Sequence, residues 1–162
     1  DYPGFIQLVK EIEPDQCTLV PDAPDQLTSD HGWQIDGKDH NVLVNIIEEL
    51  KTDKTRVSLF VDPDIKQIEN IKSIGANRVE LYTGPYALNP ILEVLSSYET
   101  SYNYAKSIGL NVNAGHDLDL ENLKPFLDRA PVDEVSIGHA LISDALIYGL
   151  DTVTKKYLDL CK

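Results

Sequence analysis

The first residues that could carry out chemistry lie at 111–117, which reads Asn-Val-Asn-Ala-Gly-His-Asp. An apolar run ends here in polar residues, a glycine and an imidazole, and histidine exchanges protons near neutral pH. His116 is therefore a candidate acid or base. The same pattern also fits an ordinary turn from a strand to a helix, in which Asp117 or Asp119 caps the helix and His116 is merely exposed. Both interpretations are open from the pattern alone.

A second candidate site is the run 136–140, Ser-Ile-Gly-His-Ala, where a strand pattern again gives way to a helical one. Gly138 has no side chain, so the backbone there can approach a ligand closely. The amides that open a helix point outward and bind anions such as phosphate. Taken alone, the run is explained somewhat better by a compact loop that puts His139 at the start of a helix.

Glu80 is a charged residue inside the otherwise apolar run 79–84. A carboxyl group that points into a barrel needs a partner or a raised pKa, and such acids cluster at functional sites. On the outer surface Glu80 would instead be a solvated charge, which is less favoured for a strand covered by helices. We therefore expect Glu80 to face the interior.

A long polar segment, 20–33, separates the first predicted strand from the next helix. Long loops in compact domains are often functional. The hydroxyls of Thr28 and Ser29 can bind a substrate oxygen or form a local turn, and the turn is the simpler interpretation. His31 has no Cys, His or carboxylate at metal-ligand spacing, so no metal site is expected.

The elements that must position these residues alternate along the chain. Predicted strands are 16–20, 57–61, 78–82, 110–114 and 134–137, and predicted helices are 40–52, 65–74, 91–108, 120–130 and 140–160. Strands that alternate with helices pair in parallel. No G-x-G-x-x-G follows a strand, and polar residues concentrate just past the strands, which favours a barrel with its site at the C-terminal rim. Five such units would leave a barrel open along one side.

Two local features of the helices can also be predicted. The helix that begins near residue 40 has an apolar stripe that should pack on the sheet, formed by Val42, Val44, Ile46, Ile47 and Leu50. Gly75 and Gly109 follow helical patterns and are expected to end those helices.

Composition limits the classes of partner. The 162 residues are 42% hydrophobic, as in one globular domain, and carry a net charge of −13, which disfavours nucleic acid and anionic membranes. The two cysteines form no disulfide framework, which fits a reducing cytoplasm. Apolar runs fall short of the ~20 residues that span a bilayer. The chain opens on Asp1 and contains no Met, so we expect that this is not a natural N-terminus.

Several motifs together resemble the pyridoxine 5′-phosphate synthase family in their order and spacing. They are 18–21 with 27–29, 57–62, 79–84, 112–116 and 137–140. The resemblance covers essentially all 162 residues and begins at about the fourth strand of the family. It implies that residues 1–162 are the C-terminal portion of a single (β/α)8 TIM-barrel catalytic domain, covering about strands 4 to 8.

The activity implied by this resemblance is a ring-closing, transferase-type condensation. It joins 1-deoxy-D-xylulose 5-phosphate to 3-amino-1-hydroxyacetone 1-phosphate and releases phosphate and water, with no metal or organic cofactor. By similarity His116 is the proton donor, Glu80 stabilises the transition state, and Thr28 contacts the deoxyxylulose phosphate. Gly138 and His139 bind the phosphate of the amino-ketone. The small-molecule partners implied are therefore phosphorylated substrates and inorganic phosphate.

The chain departs from the family pattern at one site residue. Asp117 stands where the resemblance predicts a glycine or another residue that contacts substrate through its backbone, so its contact is expected through the amide. The family also implies a homo-oligomer of high order, an octamer. Its first three strands, which hold further acids and bases, have no counterpart here, so we expect the 162 residues alone to be inactive and unstable.

Two alternatives differ from the synthase in class. Another phosphate-binding barrel, of the epimerase or aldolase type, would turn over one sugar phosphate without an amine. A non-catalytic half-barrel would instead associate with a partner chain or with itself through its open edges.

Overall fold

The computed structural model describes residues 4–35 and 38–162, and within these ranges it has an alternating α/β architecture. The elements are α1 (Phe5–Ile12), β1 (Gln16–Leu19), α2 (Lys38–Leu50), β2 (Arg56–Val61), α3 (Ile65–Ser73), β3 (Arg78–Tyr82), α4 (Gly84–Leu88), α5 (Leu92–Ser107), β4 (Asn111–Gly115), α6 (Leu123–Arg129), β5 (Glu134–Ser136), α7 (His139–Tyr148) and α8 (Leu150–Leu160). Among the described helices, none is long and apolar enough to cross a membrane.

The five strands form one sheet in the order β1-β2-β3-β4-β5, and every neighbouring pair is parallel. Each strand therefore lies beside the next strand of the chain, and the helices between them make the return connections. Each predicted strand agrees with an observed one to within one residue at either end. The predicted parallel α/β sheet is confirmed.

The two faces of the sheet differ sharply in chemistry because side chains alternate along a strand. The face packed against the helices, which we call the convex face, is apolar and buried; it carries Cys17, Leu19, Val57, Leu59, Val61, Val79, Leu81, Val112 and Ala114. The opposite, concave face carries Thr18, Ser58, Phe60, Arg78, Glu80, Tyr82, Asn113, Gly115, Glu134 and Ser136. The hydrophobic core thus lies between the sheet and its helices.

Contacts between distant strands show that the sheet curls toward the concave face. Strands β2 and β5 are three spacings apart, roughly 14 Å in a flat sheet. Even so, Arg56 Nη2 lies 3.5 Å from Glu134 Oε1. Thr18 on β1 likewise reaches Glu80 on β3, with 3.2 Å between Oγ1 and Oε2. The five strands therefore form an open, curved sheet rather than a flat one.

One predicted helix was wrong, and two helices were not predicted. The helix expected over 140–160 is two helices, because Gly149 has φ 82° and ψ 142°, a conformation that ends α7 before α8 begins. Helix α1 was not predicted. The short α4 was also missed, although Pro85 in its first turn is a common way to begin a helix.

The apolar stripe of α2 is rotated relative to the prediction. Leu43, Ile47 and Leu50 are buried, whereas Val42 is 53% exposed. Side chains at i, i+4 and i+7 share one helix face, and Leu43 rather than Val42 completes that series. The predicted helix-ending glycines are confirmed, because Gly75 and Gly109 have φ values of 92° and 75° directly after α3 and α5.

Candidate active site

Polar loops follow β1, β4 and β5 at the C-terminal edge of the sheet, and they enclose one cleft. The cleft has a volume of about 420 Å³ and is lined by Thr28, His116, Asp117, Ser136, Gly138, His139, Ile142 and Ser143. Five of the six predicted site residues therefore lie together, although they come from three separate loops. The sixth, Glu80, lies on the concave face of β3.

The turn after β4 has an unusual backbone. His116 and Asp117 have φ values of 89° and 60°, so two consecutive residues with side chains adopt left-handed conformations. Such residues cost roughly 1–3 kcal/mol each and persist only where the surrounding structure holds them. At Gly115, which ends β4, a Cβ would lie 2.5 Å from Glu80 Oε1 and 3.0 Å from Ser136 Cβ, so any side chain there would displace the Glu80 carboxyl group. The β4 turn, residues 115–117, is therefore closely packed and strained.

Both ring nitrogens of His116 have partners. Nδ1 lies 2.9 Å from Asp117 Oδ2, and Nε2 lies 2.9 Å from Thr28 Oγ1. Because a carboxylate oxygen accepts, Nδ1 carries a hydrogen, and Nε2 of the neutral ring accepts from the Thr28 hydroxyl. The ring also packs edge-on against Tyr82, with centroids 5.1 Å apart. His116 is thus oriented on three sides, and it can take or give a proton at Nε2.

Glu80 faces the interior, as predicted. It is 8% exposed, and its Oε2 accepts a hydrogen bond from Thr18 Oγ1 at 3.2 Å. Burial raises the pKa of this carboxyl group, while the hydroxyls of Thr18 and Ser136 oppose the rise. A buried acid of this kind can donate a proton or respond strongly to charge that develops nearby.

The loop after β5 leads directly into α7. Gly138 precedes the first residue, His139, and no acidic side chain lies in the first turn. A Cβ at Gly138 would meet no atom of the described residues within 4 Å, so packing within this part of the chain does not require a glycine. The free backbone surface and the amides at the start of α7 can bind an anion in the cleft.

The loop after β1, residues 20–33, is fixed at its end and organised by its own side chains. Trp33 donates from Nε1 to the Leu19 carbonyl and from its amide to the Phe60 carbonyl, each at 2.9 Å. Ser29 donates to Asp22 Oδ2 at 2.8 Å, which is a side-chain contact across seven residues of the loop rather than the local turn predicted for it. Thr28 instead reaches across to His116, so this loop brings a hydroxyl to the histidine.

Sequence reasoning missed other polar residues around the site. Tyr82 and Ser136 lie on the concave face beside His116 and Glu80, and their alternation with apolar neighbours was the available signal. Below them, the buried guanidinium of Arg78 donates to Asn113 Oδ1 at 2.6 Å and lies 2.7 Å from Glu134 Oε1. Ser143 joins the cleft from α7, where nothing in its local pattern indicated a role.

Comparison with solved structures supports the fold. The chain resembles a mutant tryptophan synthase alpha-subunit from the hyperthermophile Pyrococcus furiosus, with a TM-score of 0.62 and 14% identity, covering 97% of this chain and 59% of that one. It also resembles a chain of the Amycolatopsis orientalis BexX/CysO complex, with a TM-score of 0.61 and 12% identity, covering 96% and 59%. At such low identity these matches concern the fold alone, an α/β half-barrel of five parallel strands.

Sequence relatives are much closer. Pyridoxine 5′-phosphate synthase of Porphyromonas gingivalis is 44% identical over 159 residues, which is 96% of this chain and 66% of the relative. The synthase of Brucella abortus (strain S19) is 47% identical over 161 residues, or 96% and 65%. This chain thus spans slightly less than two thirds of the length of these relatives. The family model described as pyridoxal phosphate biosynthesis protein PdxJ matches residues 2–162, and the chain belongs to that family.

Proposed function

We propose that this chain forms part of the active site of a pyridoxine 5′-phosphate synthase. The reaction joins 1-deoxy-D-xylulose 5-phosphate to 3-amino-1-hydroxyacetone 1-phosphate, closes the pyridine ring, and releases phosphate and water. The observation that carries the proposal is that Thr28, His116, Asp117, Gly138 and His139 share one cleft. All of them except Asp117 match the family motifs, and relatives at 44% and 47% identity are named as this synthase.

Proton transfer is assigned to His116. Imine formation, dehydration and ring closure each need protons moved at defined atoms. A protonated His116 would give its Nε2 hydrogen to a departing hydroxyl group, so that the C–O bond breaks and water leaves. Thr28, 2.9 Å from Nε2, would help hold the ring before substrate binds. Glu80, buried beneath Gly115, would stabilise the positive charge that develops during condensation.

Two phosphate groups require two anion sites held apart in one cleft. The start of α7 at Gly138 and His139 would bind the phosphate of the amino-ketone, and the Thr28 hydroxyl would contact the deoxyxylulose phosphate. Asp117 already contacts His116 through its carboxylate. Its contribution to substrate binding would therefore come from its backbone amide, which avoids putting a negative side chain against an anion.

The larger assembly is also part of the proposal. The five-stranded half-barrel would be strands 4 to 8 of a (β/α)8 barrel, in one catalytic domain that works in a homo-oligomer, an octamer. Both cysteines are free, Cys17 buried and Cys161 exposed, which supports a reducing cytoplasm as the site of action.

The test is phosphate release by the complete barrel, in which three further strands precede these residues, with each substrate alone and with both together. Release is expected only with both, and His116→Asn should abolish it because the proton donor is lost. His40→Asn, the same substitution at an exposed position of α2, is the matched control and should leave release unchanged. Turnover of one sugar phosphate without the amine would instead identify an epimerase or aldolase. Assembly without any turnover would favour the non-catalytic half-barrel.

A further inference from the structure

We propose that Thr83 is a positioning residue for His116: its buried hydroxyl holds the strained β4 turn in the backbone conformation that directs the imidazole toward Thr28 and the cleft. Thr83 follows β3 and belongs to the run 79–84, in which Glu80 and Tyr82 have been placed in the site but Thr83 has not. The kinetic test of this inference rests on the proposed function, whereas its structural test does not.

Thr83 contacts the turn through its backbone and its side chain. Its amide donates to the Gly115 carbonyl at 2.9 Å. Its Oγ1 lies 2.7 Å from the same carbonyl oxygen and 2.5 Å from the carbonyl oxygen of His116. One hydroxyl hydrogen thus serves two consecutive carbonyl groups. The residue is fully buried, so water cannot replace this donor.

The strain in the turn explains why the donor matters. His116 and Asp117 both have positive φ, so the relaxed backbone would rotate away from this conformation. Asn122 Nδ2 donates to the Asp117 carbonyl at 3.0 Å, which secures the end of the turn. Among the hydrogen bonds of the described residues, Thr83 alone supplies a donor to the His116 carbonyl. Without that donor, the His116 carbonyl loses its hydrogen bond, and the strained backbone at the residue that carries the imidazole is held less firmly.

The kinetic test compares three variants of the enzyme. Thr83→Val keeps the branched shape but removes the hydroxyl, and it should lower kcat by about 100-fold with KM nearly unchanged, because a misplaced catalytic group costs about that much. Thr83→Ser keeps the hydroxyl and should restore kcat to within about 3-fold. The matched control is Tyr98→Phe, which removes another buried hydroxyl, 2.7 Å from the Tyr82 carbonyl, and should leave kcat unchanged.

The structural test does not depend on turnover. The nuclear magnetic resonance signal of the His116 Cε1–H group should shift and broaden in Thr83→Val, but not in Thr83→Ser or Tyr98→Phe. If Thr83→Val does not fold, the unaltered protein supplies the second measurement: the Thr83 hydroxyl proton should exchange slowly with water, since it is buried and bonded.

The outcomes separate the two proposals. An unmoved His116 signal and an unchanged kcat in Thr83→Val would overturn the positioning role, and so would fast exchange of the Thr83 hydroxyl proton. Absence of turnover in the unaltered complete barrel would overturn the proposed function. In that case the resonance and exchange measurements still decide whether Thr83 holds the turn.

Discussion

Strand β3 shows two kinds of burial on its two faces. All five of its residues are buried. Val79 and Leu81 contact the apolar core on the convex face, where packing is not directional and depends on shape and volume. Arg78 and Glu80 on the concave face are held by hydrogen bonds and charge, which act only in particular geometries. The same strand thus stabilises the fold on one side and builds the site on the other.

This difference has a consequence for substitution. A core position on the convex face tolerates another apolar side chain of similar volume. On the concave face, replacing a polar side chain by an apolar one of similar shape leaves its buried partner without a hydrogen bond. We therefore expect convex substitutions to alter stability most, and concave substitutions to alter stability less but to affect the chemistry of the site.

The largest effect is expected on the convex face. Leu81→Ala should lower the free energy of unfolding by about 2–5 kcal/mol, because it removes buried methyl groups and leaves a cavity. The measurement is urea-induced unfolding followed by circular dichroism. Leu158→Ala, the same change at an exposed position of α8, should cost less than about 0.5 kcal/mol. Equal losses for the two variants would contradict the contrast between core and surface.

A smaller loss of stability is expected at Arg78, a buried residue of the concave face. Arg78→Met should lower the free energy of unfolding by about 1–3 kcal/mol, since Asn113 and Glu134 lose a charged donor. The loss should stay below that of a fully buried pair because the Glu134 side chain is 44% exposed and can turn to water.

The control for this prediction is Arg129→Met. Arg129 pairs with Glu99 at 2.9 Å on the exposed surface, where such a pair contributes about 0–1 kcal/mol. The double variant Arg78→Met with Glu134→Gln should lose less than the sum of the two single changes. Strict additivity in that cycle would mean that the contact between Arg78 and Glu134 has no energetic coupling.

The smallest effect, and one of opposite sign, is expected from Glu80→Gln. Burial raises the pKa of Glu80 above its ordinary value of 4.5, so the folded state binds more protons than the unfolded state. The stability contributed by this group is therefore fully present below about pH 4.5, and it is lost as the pH rises through the raised pKa. At neutral pH the amide should be slightly more stable than the acid, and this gain should vanish as pH falls.

Unfolding of Glu80→Gln in urea across the acidic to neutral range tests this dependence. Glu121→Gln, at an exposed position, is the matched control and should show no gain at neutral pH. The same Glu80 variant should lose turnover, because the proposed function needs a carboxylate there. A variant less stable at neutral pH, with the loss growing as pH rises, would show that the carboxylate stabilises the fold.

Local patterns predicted most of the architecture. The strands were predicted correctly because each is a short run of apolar and β-branched residues, a pattern that is visible in the local sequence. The glycines after α3 and α5 were predicted because each directly follows a helical pattern. The break at Gly149 was missed because a glycine inside an apolar helical pattern is compatible with either one helix or two. The error at Val42 has a similar origin. Because Val42 and Leu43 are both apolar, the sequence does not show which of them faces the sheet from α2.

The sequence by itself determined the parallel α/β class, the interior position of Glu80 and the set of polar residues that follow the strands. Only the tertiary structure decided which of them meet, because contacts such as Thr28 to His116 join residues 88 positions apart through the curvature of the sheet. It also decided the left-handed conformation of His116 and the role of Thr83. A strained backbone is set by the hydrogen bonds that surround it, and these depend on packing between β3 and β4 rather than on local propensity.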